Sequence, residues 1–260
     1  MEEYSMIELI LRADDIGYSE AINYGIAKTV KDGLIGSAGL MCNMPYAAQG
    51  VELLNGTDVC LGQHTNVCLG TPCADPSLIP SLVQADGQFK SSRRYREAYK
   101  QGMDLIKVDE AVIEVEAQYI RFKALTGKKP EYFEAHAIAS ENLQKALRIV
   151  ANRYDLPLND MNPMVENGLF KGHPIHALPM QSMEEKYDPL TCLKNGILNH
   201  VRTDMPNVFV CHPGWLDQYL LNHSSLTINR TKEVDMLCST ETKQWLEKNN
   251  VRLIKYRDIV

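Results

Sequence analysis

Residues 7–33, IELILRADDIGYSEAINYGIAKTVKDG, decide the fold. The run IELIL (7–11) reads as a strand, and apolar residues at helical spacing over 20–32 read as a helix that stops at Gly33. The alternation resumes with IGSAGLM (35–41), a short helix after Pro45, DVCLGQH (58–64), and a long amphipathic helix at 108–126 ended by Gly127. EYFEAH (131–136), a helix near 141–153, LPL (156–158), a helix near 189–201, NVFVCH (207–212), a helix near 231–249 and VRLIKY (251–256) complete it. Strands separated by helices pair in parallel through right-handed crossovers. About seven such units predict an α/β fold, a closed or nearly closed TIM-barrel-like (β/α) barrel, as one domain over 1–260. Two segments, 65–107 and 159–188, are rich in Pro, Gly and polar residues and too long for plain connections, so they read as substrate loops.

The chain has 260 residues, 45% hydrophobic and 23% charged, the balance of a packed globular protein. A net charge of −6 excludes a dedicated nucleic-acid binder, which needs a surplus of Lys and Arg on one face. No apolar stretch approaches the roughly 20 residues a membrane span requires. The opening MEEYSMIELIL carries acids where a secretion signal carries basic residues, so a cytoplasmic location is expected. Seven cysteines without a CxxC pair read as reduced core thiols.

The acids and histidines fall at strand ends: Asp14 and Asp15 after the first strand, His64, His136 and His212 at the ends of later ones. In a parallel barrel the carboxyl ends of all strands open onto one face, so distant residues meet there. Two imidazoles and a carboxylate are a common ligand set for a catalytic divalent ion, and Asp15, His64 and His136 supply one. Asp14 stays free as a general base toward water. Singly, each residue is as well explained as a helix cap or a hydrogen-bonded rim group. The joint pattern carries the reading.

These residues resemble the YdjC-like carbohydrate deacetylases across nearly the whole chain. RADDIGYSEAINYGI is similar to the family's Ala-Asp-Asp-Phe-Gly block, LGQHTNVCLGTP to its Gly-Leu-His-Leu-Asn block, and CHPGW keeps its His-Pro-Gly. PEYFEAHAIAS resembles the His-x-Asp-x-His block with departures: Tyr132 for the first histidine, Glu134 for the aspartate, Ile138 and Ser140 for later histidines. Arg12 stands where the family has a smaller polar residue. The resemblance implies a distorted barrel of about seven parallel strands and one divalent cation, usually magnesium, although the ligand set also suits zinc. It implies removal of an acetyl group from an amino sugar oligosaccharide such as a chitooligosaccharide, with His212 as general acid.

Sugar contacts are expected from Asn66, Tyr95, Asn162 and Trp215 in and near the long loops. The basic run SSRRYR (91–96) reads as a solvated helix start, His173 and His176 as structural, and Met161, Met164, Met180 and Met183 as gap-fillers. Symmetric pairing into a homodimer is compatible with this enzyme type. Two alternatives stay open: a metal-dependent hydrolase of another amide or ester, and a catalytically silent sugar-binding or regulatory protein on the same barrel.

Overall fold

A computed structural model describes residues 6–160 and 167–259; Met161, Asn162 and Met164 lie outside them. Strand β1 (Ile7–Ile16) shows how the molecule is built. Successive side chains on a strand face opposite ways. Leu9, Leu11 and Ala13 therefore pack outward with the helices, while Ile10 joins a cluster of other strands' side chains inside the barrel. Helix α1 (Glu20–Lys31) follows, started by the Ser19 hydroxyl accepting from the Ile22 N–H. Then come β2 (Ser37–Leu40), α2 (Ala47–Leu53), β3 (Cys60–Thr65), α3 (Ser92–Lys100), α4 (Val108–Thr126), β4 (Phe133–Ala135) and α5 (Glu141–Tyr154). The second half runs β5 (Asn159–Asp160), β6 (Asn167–Phe170), β7 (His173–Ala177), α6 (Pro189–Asn199), β8 (Asn207–Cys211), α7 (Gln218–His223), α8 (Ile228–Leu237), α9 (Thr240–Lys248) and β9 (Val251–Leu253).

The sheet order is β4-β3-β2-β1-β8-β7-β6-β5, with β9 paired to the start of β1. A parallel bridge between Phe133 and Leu158 brings the two ends of this path together, so the barrel nearly closes. Among the described residues only β6 runs against its neighbours. The interior begins on an apolar floor that includes Ile10, Cys60, Tyr132, Phe170, Val208 and Tyr256. Gly62 makes this floor possible: a Cβ there would stand 2.4 Å from the Tyr132 ring.

Three elements differ from the sequence reading. Segment 159–188 is barrel wall as much as loop, since it holds β5, β6 and β7. The helix expected over 231–249 is two, because Ser239 accepts from the Glu241 N–H and starts α9 afresh. Segment 65–107 contains α3 and is fastened down along α4. Glu110 accepts from the Ser81 N–H, Glu114 from Cys73 and Ala74 at 3.0 and 2.8 Å, and Gln118 exchanges two hydrogen bonds with the Asn66 backbone. These three residues recur every four positions and so share one face of the helix. The seven cysteines are free, five of them buried. No described helix is long and apolar enough to cross a membrane.

Candidate metal centre

Alternation on four strands aims the chemistry inward. On β1, Arg12 and Asp14 follow Ile10 on the interior face; on β3, His64 follows Cys60 and Gly62. Tyr132, Glu134 and His136 alternate with the outward Phe133 and Ala135, and His212 continues the inward series of Val208 and Val210. Asp15 should then point away, but it does not. It sits at φ 79, where the register of β1 against β2 shifts, so an irregularity of the bulge kind turns adjacent carboxylates to the same face. Ala137, at φ 56 after His136, is a second non-glycine residue in the left-handed region beside the site. Such strain gathers where function fixes geometry.

The five residues singled out from the sequence come together. His64 Nε2 lies 3.7 Å from Asp15 Oδ1 and 2.9 Å from His136 Nδ1, and His136 Nδ1 lies 3.3 Å from Asp15 Oδ1. Ligand atoms about 2.0–2.2 Å from one ion stand about 3.0–3.5 Å apart from each other, so this trio fits a single cation. A second trio, Asp14, His64 and Glu134, also lies within 4.8 Å. There the Arg12 guanidinium already supplies the positive charge: its Nε and NH2 meet the two Asp14 oxygens at 2.8 Å each, and NH1 pairs with Glu134.

Burial disfavours the charged form of both His64 and His136, yet neighbouring groups outweigh it. Asp14, Glu134 and Asp15 raise His64 to about 9, and Asp15 with Cys68 does the same for His136. Burial also opposes ionisation of Asp15, but Arg230, 2.8 Å from its Oδ2, holds the carboxyl well below its usual range. His212 differs. Burial, assisted by Arg230, lowers it to about 4, so it is neutral at neutral pH, and its Nδ1 has no hydrogen-bond partner.

A cavity of about 490 Å³ opens over Asp15, His136 and His212, lined also by Tyr18, Cys68, Ser92 and Arg96. Arg96 belongs to the basic run read as solvated; it makes no ion pair among the described residues. Met180 and Met183, read as gap-fillers, are exposed and line the same cavity. Asn66 and Tyr95 are corrections. Asn66 is fully buried and binds Asn43, Leu69 and Cys68, and the Tyr95 hydroxyl donates to the Leu82 carbonyl within the core. Trp215 is exposed but does not line this cavity. His176 bonds Asn167 at 2.7 Å within the hairpin of β6 and β7, a structural place. Ile138 is core and Ser140 starts α5, so neither departure touches the centre.

Residues the sequence reading missed surround the site. Arg230 and Glu233 are buried on α8, and Glu233 accepts from the His212 backbone N–H and from the Tyr187 hydroxyl. Their signal was present: residues 230, 233, 234 and 237 form one helical stripe, and charged groups on an apolar stripe need partners.

Fold and site define a class, an α/β barrel whose strand ends carry a carboxylate and two imidazoles spaced as ligands of one ion. The particular family follows from comparison: the chain belongs to the YdjC-like protein family, whose model matches residues 8–248. It is 29% identical over 257 residues to carbohydrate deacetylase 2 of Listeria innocua serovar 6a, covering 97% of this chain and 99% of that one. It is 27% identical to a carbohydrate deacetylase of Clostridium beijerinckii, covering 97% and 100%. A crystal structure from Enterococcus faecalis V583, described as a cellobiose-phosphate cleavage protein, superposes with a TM-score of 0.82 at 23% identity, covering 98% of this chain and 100% of that one.

Proposed function

We propose that this chain is a metal-dependent carbohydrate deacetylase that hydrolyses the N-acetyl group of an amino sugar oligosaccharide of the chitooligosaccharide class, releasing acetate. The observation that carries the reading is the convergence of Asp15, His64 and His136 donor atoms at 2.9–3.7 Å, beneath a cavity and beside Asp14. The names of the curated relatives support the reaction. Two imidazole nitrogens favour zinc or a similar transition ion over magnesium, which prefers all-oxygen sites. A reducing compartment, the cytoplasm, belongs to the same reading and is supported by the free thiols.

When bound, the ion supplies Lewis acidity toward the acetyl oxygen and acidifies a water. Asp14, oriented at both oxygens by Arg12, takes a proton from the attacking water. Arg230 holds Asp15 so that Oδ1 faces the two imidazoles. His212 is neutral at rest and lines the open cavity, so the proton it passes to the departing nitrogen is first taken up from solvent, and the proton that Asp14 removed returns to solvent as acetate leaves. Arg96 at the cavity wall suits a phosphorylated sugar as substrate.

The test is acetate release from diacetylchitobiose and its phosphate by zinc-loaded protein. Asp14→Asn should abolish turnover while zinc content stays at the wild-type level. No acetate from either sugar, with brisk turnover of other esters, would overturn the substrate class; unchanged turnover in Asp14→Asn would remove the proposed base.

A further inference from the structure

Two departures from the family pattern, Arg12 and Glu134, lie 122 residues apart in sequence and touch in the barrel interior. Both are nearly inaccessible, at 6% and 5% exposure. Arg12 reaches both Asp14 oxygens, Glu134 Oε2 and, at 3.1 Å, the Tyr256 hydroxyl. Glu134 Oε2 also accepts from Asn159 Nδ2 at 3.3 Å, and Asn159 in turn donates to Tyr256 at 3.1 Å. The other Glu134 oxygen faces His64 Nδ1 at 3.1 Å. A carboxylate can only accept, so that contact holds a proton on His64 Nδ1 and makes Nε2, which faces Asp15 and His136, the nitrogen available to an ion.

Each half needs the other. Without Glu134, Arg12 is a buried cation with Asp14 alone; without Arg12, the two carboxylates of Asp14 and Glu134 stand beside His64 as a ligand set open to a misplaced cation. We infer that Arg12 and Glu134 are positioning residues acting as one unit: the guanidinium fills the deeper cation position and orients Asp14, while Glu134 fixes the His64 tautomer that presents Nε2 to the ion. The inference rests on the metal-centre reading above, but its main readout needs no substrate.

The experiment measures Zn2+ binding by calorimetry to the stripped full chain, with acetate release as a separate assay. Glu134→Gln should weaken the Zn2+ Kd by about 10- to 100-fold, the usual cost of losing such a partner. It should also shift the visible absorption of the Co2+-loaded chain. Arg12→Lys keeps a charge but not the fork that spans both carboxylates, so it should retain Zn2+ binding within about threefold yet lower kcat more than it raises KM. In an Arg12→Met background, Glu134→Gln should change Kd by less than about threefold, because the unit is already broken; should Arg12→Met fail to fold, Glu134→Gln and Arg12→Lys decide alone. Wild-type affinity in Glu134→Gln, or equal effects of that change in both backgrounds, would overturn the inference, as would absence of Zn2+ binding by the wild-type chain. A wild-type chain that binds Zn2+ but releases no acetate sinks the deacetylase reading and leaves the Kd comparison to decide this one.

Discussion

Glu233→Gln isolates one buried charge. The carboxylate is fully buried, accepts from the His212 backbone N–H and faces the Tyr187 hydroxyl at 2.8 Å; burial pushes it up to about 7 from an ordinary value near 4.5. A raised folded-state pKa means the folded protein holds its proton more tightly than the unfolded chain. The associated stability is complete below the unfolded value and is lost as pH rises through the folded one. At about 1.36 kcal/mol per unit, wild-type protein should lose about 2.5 kcal/mol from this group between roughly pH 5 and pH 8. Glutamine reproduces the protonated form: its oxygen accepts from His212 and its amide donates to Tyr187. Urea denaturation of both proteins at both pH values measures the difference, in which every other titrating group cancels. The Gln variant should gain on wild type by that amount at the higher pH. A gap that stays constant within about 0.5 kcal/mol would refute the claim that Glu233 titrates between folded and unfolded states near neutrality.

Three further outcomes follow from the geometry. Gly62→Ala puts a Cβ 2.4 Å from the Tyr132 ring and should destabilise the fold by about 1–3 kcal/mol in urea melts. Arg230→Met removes the guanidinium on Asp15 Oδ2 and leaves the buried carboxylate only its imidazole neighbours, which should cost about 3–5 kcal/mol, measured by thermal unfolding of the metal-free chain. Zn2+ at about 100 times its Kd should stabilise the wild type by about 2.7 kcal/mol, reversibly with chelator, and should leave Asp15→Asn little changed.

How much of this was legible depends on the range of each interaction. Strand alternation is local, so the inward series Arg12–Asp14, Glu134–His136 and His212 could be read from where each strand ends. The hairpin of β6 and β7 could not, because HPIHA lacks the apolar signal of a core strand and five residues are too few to show a period. Asn66 and Tyr95 misled for a different reason. Polarity in a long loop looks the same whether the side chain faces a ligand or satisfies the loop's own backbone, and here it does the latter. Arg230 reaches Asp15 across 215 positions, and no window of sequence contains both.

The paired acids show where a local rule fails for a functional reason. A regular strand presents alternate residues to one face, so Asp14 and Asp15 could not both serve the barrel interior. A bulge in β1 and a left-handed Asp15, a conformation costing of order 1–3 kcal/mol, remove that obstacle. The cost is bearable because the rest of β1 is tied to β2, β8 and β9, and because Arg230 anchors Asp15 from outside the sheet. Adjacent residues then take opposite tasks: both lie near His64, at 3.7 and 3.8 Å, but Asp15 also faces His136 at 3.3 Å, while Asp14 has both oxygens on a guanidinium. The division of labour between a ligand and a base therefore rests on backbone strain at one position and on two arginines, one from the strand itself and one from α8, that decide which carboxylate faces which charge.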